Sequence, residues 1–254
     1  MLLKKFKGHS GCKISLRYDE KTDSKFVRKV SAGAEYNSRL ASQMDKQKSF
    51  CNENIKTPQV LASGQENNLF YFDMEYVGGV PLHNYVSLNS IDNILPILGK
   101  LAVFLKPQVH KTSDVTERLV AKVEGLRKIV PDEFGRYCDY CLDQDWSELS
   151  VGNNHGDLTF ENIIIYRNEV YLIDFLDSFI DTCYIDYAKL FQDIILAWSW
   201  RNEPSVPFIK NICTYNMFVE HLEEQELEVI KKFLVLNMLR IVPYSDTTTL
   251  KFLQ

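Results

Sequence analysis

The sequence places three polar side chains where they could act in one reaction. Asp157 and Asn162 lie in the segment HGDLTFEN, and Asp174 follows in the segment IDF. Two β-prone runs between them flank a polar turn, which predicts a tight hairpin that returns Asp174 to the loop. Phosphoryl transfer needs a carboxylate that orients or deprotonates the attacking hydroxyl, and oxygen ligands for a Mg²⁺ ion on the nucleotide phosphates. Asp157 suits the first role, whereas Asn162 and Asp174 suit the second.

Hydrophobic periodicity predicts the elements that must position these residues. Alternating apolar and polar residues, or β-prone runs bounded by turn residues, predict strands at residues 12–18, 25–30, 60–64, 69–77 and within 162–175. Apolar residues at helical spacing predict helices at residues 35–50, 91–106, 115–130, 186–201 and 224–242. The strands are concentrated before the Gly78-Gly79-Val80-Pro81 stop, and the helices after it.

This order of elements predicts an α+β fold with two lobes that share one cleft. We expect residues 1–79 to form a small nucleotide-binding lobe with an antiparallel sheet. We expect residues 80–254 to form a mostly helical lobe that carries catalysis and substrate binding. At 254 residues, the chain is too short for two independent enzyme domains of typical size.

The segments HGDLTFEN and IDF resemble the HxDxxxxN catalytic loop and the metal motif of the aminoglycoside phosphotransferase and choline kinase superfamily. Gly156 follows the histidine, at the position where protein kinases usually carry arginine, so the resemblance is to the small-molecule branch. It implies a kinase-like two-lobed fold that uses ATP and Mg²⁺ to phosphorylate a small hydroxyl-bearing substrate. It also implies that His155 packs into the core and orders the loop, which leaves catalysis to Asp157.

The same resemblance implies a nucleotide site in the N-terminal region. The family's phosphate-covering loop corresponds to Gly8, His9, Ser10 and Gly11. Val27 and Lys29 share a strand face, which places an apolar side chain beneath the adenine and a cation over the phosphates. The adenine-binding linker corresponds to Met74, Glu75, Tyr76 and Val77, with Met74 at the back of the pocket.

Two supporting roles follow from the resemblance. The family holds its phosphate-binding lysine with a carboxylate on the next helix, and the polar candidates there are Glu35, Gln43, Asp45 and Gln47. Asp186 resembles an aspartate at a helix start that accepts backbone N–H bonds from the catalytic loop, and a simple helix N-cap is the alternative.

Composition excludes several classes of function. The net charge of -5 and the pI near 5.6 give no electrostatic reason to bind nucleic acid or an anionic membrane. Lys4, Lys5 and Lys7 interrupt the apolar N-terminus, so we expect no signal peptide. No stretch reaches the roughly 18 apolar residues of a membrane span.

Six scattered cysteines fit reduced thiols and a cytoplasmic location. Cys138 and Cys141 have CxxC spacing but no second pair or histidine pair to complete a metal site, so we interpret them as ordinary helix cysteines.

Two other groups of residues could bind a substrate. The glutamates between Glu220 and Glu228 are either the acidic start of a helix or a patch for a cationic substrate, and we favour the helix. Three aromatic side chains are either core residues or a substrate wall: Trp198, Trp200 and Tyr215.

The sequence leaves the acceptor open. We expect a sugar or sugar derivative first, on the resemblance to phosphotransferase-like proteins of bacterial polysaccharide pathways, and choline, ethanolamine or an aminoglycoside second. Asp177 and Asp181 follow the metal motif, where they could bind hydroxyl or amine groups. A regulatory pseudokinase, which binds nucleotide without catalysis, is the alternative function from another class of protein. A protein kinase is disfavoured because the 11 residues of Phe175–Ile185 are too few for an activation loop and a peptide-docking segment.

Overall fold

The computed structural model describes residues 1–6, 11–106, 111–246 and 249–250. The chain divides into two compact units. Unit 1 comprises Met1–Phe104 and Phe160–Asp177, and unit 2 comprises Leu105–Thr159 and Ser178–Gln254. These units describe packing, and the functional boundary at Gly79 stays a prediction.

The described strands are β1 (Leu2–Phe6), β2 (Lys13–Asp19), β3 (Ser24–Val30), β4 (Ile55–Lys56), β5 (Val60–Glu66), β6 (Leu69–Glu75), β7 (Val80–Pro81), β8 (Thr112–Ser113), β9 (Leu149–Ser150), β10 (Ile163–Tyr166) and β11 (Glu169–Leu172). The described α-helices are α1 (Asn37–Ser49), α2 (Leu82–Leu88), α3 (Ile91–Leu105), α4 (Thr116–Arg127), α5 (Gly135–Leu142), α6 (Cys183–Leu196), α7 (Phe208–Val219) and α8 (Glu224–Ile241). The α+β prediction is confirmed.

A five-stranded antiparallel sheet forms the frame of unit 1, in the order β1–β2–β3–β6–β5. Helix α1 packs on it, mainly against β6. The buried residues at this contact are Cys12, Leu40, Met44, Phe72 and Met74. Burial of these side chains fixes α1 against the sheet, since apolar surface removed from water contributes about 25 cal/mol per Å².

The predicted hairpin is present in unit 1 as β10 and β11, with Ile163 paired to Leu172 and Tyr166 paired to Glu169. Its two-residue turn has positive φ at Arg167 (52°) and Asn168 (61°), the conformation that matches the right-handed twist of a hairpin. The hairpin forms the two central strands of a small sheet, in the order β4–β11–β10–β7. The two strands of the hairpin therefore have a fixed register.

Unit 2 is mainly helical, with α6 packed against α8 and α7, and α5 packed against α4 and α8. The side chain of Thr182 caps the N-terminus of α6 by accepting a hydrogen bond from the backbone of Tyr184. Glu223 and Glu226 form a capping box at the start of α8. The interpretation as an acidic helix start is confirmed for Glu223, Glu224 and Glu226, whereas Glu220 lies at the C-terminal end of α7.

Sequence periodicity located most of the long elements but gave no bounds for β1, α2, α5 or α7. Cys138 and Cys141 lie buried on α5, as expected for helix cysteines, and burial raises the pKa of the Cys141 thiol to about 12. Within the described ranges, the helices are too short or too polar to cross a membrane.

Candidate active site

The register between β3 and β6 places the predicted nucleotide-binding side chains together. Val27 lies opposite Met74, and Lys29 lies opposite Phe72. Because side chains alternate across a strand, Arg28 points to the other face of the sheet. There Arg28 donates two hydrogen bonds of 2.7 Å to the carboxylate of Asp73. This pair fixes the strand orientation that turns Val27 and Lys29 to the opposite face.

A cavity of about 660 Å³ lies within unit 1. The residues that line it include eight predicted site residues: Val27, Lys29, Met74, Glu75, Tyr76, Val77, Asn162 and Asp174. Its volume is within the usual range of a small-molecule site. The cavity therefore combines an apolar floor, the side chains of Lys4 and Lys29, and oxygen atoms that could bind a metal ion.

The predicted phosphate-covering loop is only partly described. Gly8, His9 and Ser10 lie outside the described residues. Gly11 has a φ of 76°, a conformation that favours glycine, and it is not among the described residues that line the cavity. The role of this loop stays a prediction.

Lys29 is 3% exposed and has two partners within unit 1. Its ammonium forms an ion pair with Asp174 and donates a hydrogen bond of 3.1 Å to Oε1 of Gln43 on α1. Nε2 of Gln43 donates to the hydroxyl of Tyr36 at 3.2 Å, which turns the amide oxygen toward the lysine. Of the four polar residues left open as partners of Lys29, Gln43 is the one that contacts it, so the partner on α1 is a neutral amide where the resemblance implies a carboxylate.

The ends of the hairpin bring Asn162 and Asp174 to the same cavity. The backbone N–H of Ile173 donates to the carbonyl of Asn162 at 3.0 Å, which closes the base of the hairpin. Asp174 has a φ of 64°, an uncommon backbone conformation that holds its carboxyl at the end of β11. An amide oxygen and a carboxylate fit Mg²⁺, which takes one or two protein oxygens together with substrate phosphates.

In unit 2, the residues His155-Gly156-Asp157, here called the HGD segment, are held by helix α6. The backbone N–H groups of His155 and Gly156 donate to the two carboxylate oxygens of Asp186 at 2.6 and 2.7 Å. Gly156 has a φ of 90°, which a side chain would strain. Since Thr182 is the N-cap of α6, the alternative role for Asp186 is wrong and its loop-bracing role is confirmed.

His155 is fully buried, and its Nδ1 accepts a hydrogen bond of 3.2 Å from the backbone N–H of Asp157. This contact confirms that the histidine orders the loop. Nζ of Lys189, on α6, lies 3.0 Å from Oδ1 of Asp157. Burial alone would raise the pKa of Asp157, but the charge and hydrogen bond of Lys189, with smaller contributions from His155 and Arg240, lower it below its usual value.

Sequence reasoning missed Lys189. Its spacing of three residues from Asp186 puts both side chains on one face of a helix, which is a signal that could have been used. The sequence does not show which helix face the HGD segment contacts. It likewise left the partner of Lys29 open among four polar residues, because the rotation of α1 about its own axis decides that contact.

A sequence model described as the phosphotransferase enzyme family matches residues 14–221. The chain belongs to this phosphotransferase enzyme family. The match spans β2 to α7 and so includes Lys29, Asp157, Asn162 and Asp174. Family membership confirms the predicted resemblance and the predicted class of enzyme.

Two solved structures show that this phosphotransferase has the fold of known kinases. An apo thermostable mutant of aminoglycoside phosphotransferase APH(4)-Ia is 14% identical, with a TM-score of 0.65 over 94% of this chain and 85% of that one. A Haemophilus somnus 129PT protein assigned as a fructosamine-3-kinase is 15% identical, with a TM-score of 0.61 over 99% of this chain and 89% of that one. A search of curated sequences finds no match.

Proposed function

We propose that this phosphotransferase transfers the γ-phosphoryl group of ATP, in a Mg²⁺-dependent reaction, to a hydroxyl group of a small metabolite. The observation that carries the proposal is that Lys29, Asn162 and Asp174 line one and the same cavity in unit 1. A cation and oxygen donors around an apolar floor match the needs of a nucleoside triphosphate with its metal ion.

Each part of the nucleotide has a proposed partner in this cavity. Val27 and Met74 contact the adenine ring, and the backbone of residues 75–77 hydrogen-bonds its edge. Lys29 binds the phosphates and offsets their negative charge. Asn162 and Asp174 hold the Mg²⁺ ion, which supplies further neutralisation of charge on the phosphates when it is bound.

Asp157 is the proposed base. Its lowered pKa keeps the carboxylate ionised at neutral pH, the form that accepts a proton. The acceptor oxygen forms a bond to the γ-phosphorus as the bond to the β-phosphate oxygen breaks. ADP leaves, and the hydroxyl proton passes to the Asp157 carboxylate.

The acceptor we favour is a monosaccharide or sugar derivative, with choline-like alcohols second. Asp177 and Asp181 are both exposed. Carboxylates can accept hydrogen bonds from the hydroxyl or amine groups of a ligand. The two structural relatives, an aminoglycoside phosphotransferase and a protein assigned as a fructosamine-3-kinase, add aminoglycosides and fructosamines to the acceptors worth testing.

The test is a coupled ADP-release assay with purified full-length protein and Mg-ATP. The panel contains monosaccharides, fructosamines, choline, ethanolamine, aminoglycosides and a peptide mixture, and mass spectrometry identifies the phosphorylated product. We expect one class of small hydroxyl compound to gain a phosphoryl group, and chelation of Mg²⁺ to abolish the reaction. Phosphorylation of the peptides alone would overturn the proposal, and so would ATP binding without turnover on any acceptor.

A further inference from the structure

Helix α6 holds the HGD segment at two points. Asp186 accepts the backbone N–H groups of His155 and Gly156 at 2.6 and 2.7 Å. One turn further along, Nζ of Lys189 lies 3.0 Å from Oδ1 of Asp157. Residues three apart on a helix share one face, so a single face of α6 contacts both the backbone of the segment and its carboxylate. All of these residues belong to unit 2.

The environment of the Lys189–Asp157 pair makes it stronger than an ordinary surface ion pair. The side chain of Lys189 is 12% exposed and that of Asp157 is 25% exposed. Charges in such partly buried positions interact more strongly than charges in water and are screened less by salt. A carboxylate has about four lone-pair sites, so a single ammonium contact leaves it able to accept other hydrogen bonds.

We propose that Lys189 is a positioning residue for phosphoryl transfer, and that its ammonium holds the Asp157 carboxylate ionised and in a fixed orientation. The inference rests on the proposed function, in which Asp157 is the base. Lys189 takes up no proton in the reaction. It acts through Asp157, and the backbone contacts of Asp186 hold the segment on which this carboxylate is carried.

Other polar groups lie near Asp157 or influence it. His155 is in the same segment, Asp186 is one turn from Lys189 on α6, and Arg240, on α8, contributes electrostatically to the lowered pKa of Asp157. The charge of Lys189 and its hydrogen bond to the carboxylate lower the pKa of Asp157 more than His155 or Arg240 does. Removal of Lys189 should therefore raise the pKa of Asp157, and substitution by arginine should keep it low.

The experiment compares Lys189→Met, Lys189→Arg and wild type as full-length proteins. The pKa of Asp157 is measured by carbon NMR of labelled aspartate carboxyls, with Asp157→Asn used to assign the signal. Turnover is measured as ADP release from Mg-ATP, with water as acceptor and then with the most active panel compound. Lys231→Met is the matched control, because Lys231 forms an exposed ion pair with Glu228 on α8.

For Lys189→Met we expect a higher pKa of Asp157, an acid limb of the kcat profile shifted to higher pH, and a kcat about 10²-fold lower. The KM for Mg-ATP should be unchanged, because Lys189 is not among the described residues that line the proposed nucleotide cavity. Lys189→Arg should restore most of kcat, and Lys231→Met should behave as wild type. The thermal midpoint and Mg-ATP affinity of each variant report whether it is folded.

An unchanged pKa of Asp157 in folded Lys189→Met would overturn the inference, and so would a raised pKa with wild-type kcat at neutral pH. Loss of kcat that Lys189→Arg fails to restore would also count against it. A different result would contradict the proposed function. If Asp157→Asn itself turns over at the wild-type rate, Asp157 is not the base, whatever Lys189 does to its pKa.

Discussion

Lys29 of β3 and Asp174 at the end of the hairpin form an ion pair, although 145 residues separate them in the sequence. The pair joins the main sheet of unit 1 to the hairpin that carries the proposed metal-binding residues. Gln43 gives Lys29 a neutral partner on α1. Asp174 is thus the carboxylate partner of Lys29, and the two residues should act together on a bound nucleotide and its metal ion.

The first prediction concerns Lys29. Lys29→Ala should weaken ATP binding or lower kcat substantially, because a cation over the phosphates orients them and offsets their charge. Calorimetry with Mg-ATP and steady-state kinetics measure the two effects. Lys25→Ala is the control, since Lys25 is an exposed lysine on the same strand and does not line the described cavity. Wild-type binding and turnover in Lys29→Ala would move the nucleotide site elsewhere.

The second prediction concerns the metal. Asp174→Ala should abolish Mg²⁺-dependent nucleotide binding or turnover, because the ion offsets the charge that develops between the β- and γ-phosphates. Binding of a non-hydrolysable ATP analogue is measured with Mg²⁺ and with a chelator. The matched control is Glu169→Ala. Glu169 lies on the same hairpin, and its solvent-exposed carboxylate forms an ion pair with Lys56 of β4. If Mg²⁺ supports nucleotide binding and turnover by Asp174→Ala as well as by the wild type, Asp174 does not hold the metal ion.

The third prediction concerns the brace on the HGD segment. Asp186→Ala leaves the buried N–H groups of His155 and Gly156 without their carboxylate partner, which costs roughly 1–3 kcal/mol per group. Amide hydrogen exchange in the HGD segment should therefore accelerate. Asp193→Ala is the control, because Asp193 is also buried on α6 but accepts the backbone N–H of Ser199 at 2.7 Å. Equal exchange in the two variants would contradict the bracing role.

The sequence was sufficient for the fold class and for much of the site because both depend on local patterns. Alternation on β3 predicted the shared face of Val27 and Lys29, and the β-prone runs around Asn168 predicted the hairpin. A motif with fixed spacing then joined Asp157, Asn162 and Asp174. Each of these inferences needed only neighbours in the sequence and the periods of strands and helices.

The remaining features depend on tertiary contacts. Gln43 and Lys189 make their contacts because α1 and α6 are rotated so that these side chains face Lys29 and Asp157. Tertiary packing determines that rotation, and sequence periodicity only narrows the range of possible rotations. Trp200 is buried, and the ring of Tyr215 lies 5.2 Å from that of Phe191, so these two aromatics pack within unit 2. Short strands such as β4 and β7 have two residues each, too few to show any period.

The central claim is that Asp157 activates a hydroxyl acceptor, and the most direct test is kcat for ADP release by Asp157→Asn on the best panel acceptor. The asparagine keeps the shape of the side chain but removes the group that accepts the proton. We predict a kcat lower by roughly 10²–10⁴-fold, with nearly unchanged affinity for Mg-ATP, because the base acts on the hydroxyl rather than on the nucleotide. Turnover at the wild-type rate would contradict the account.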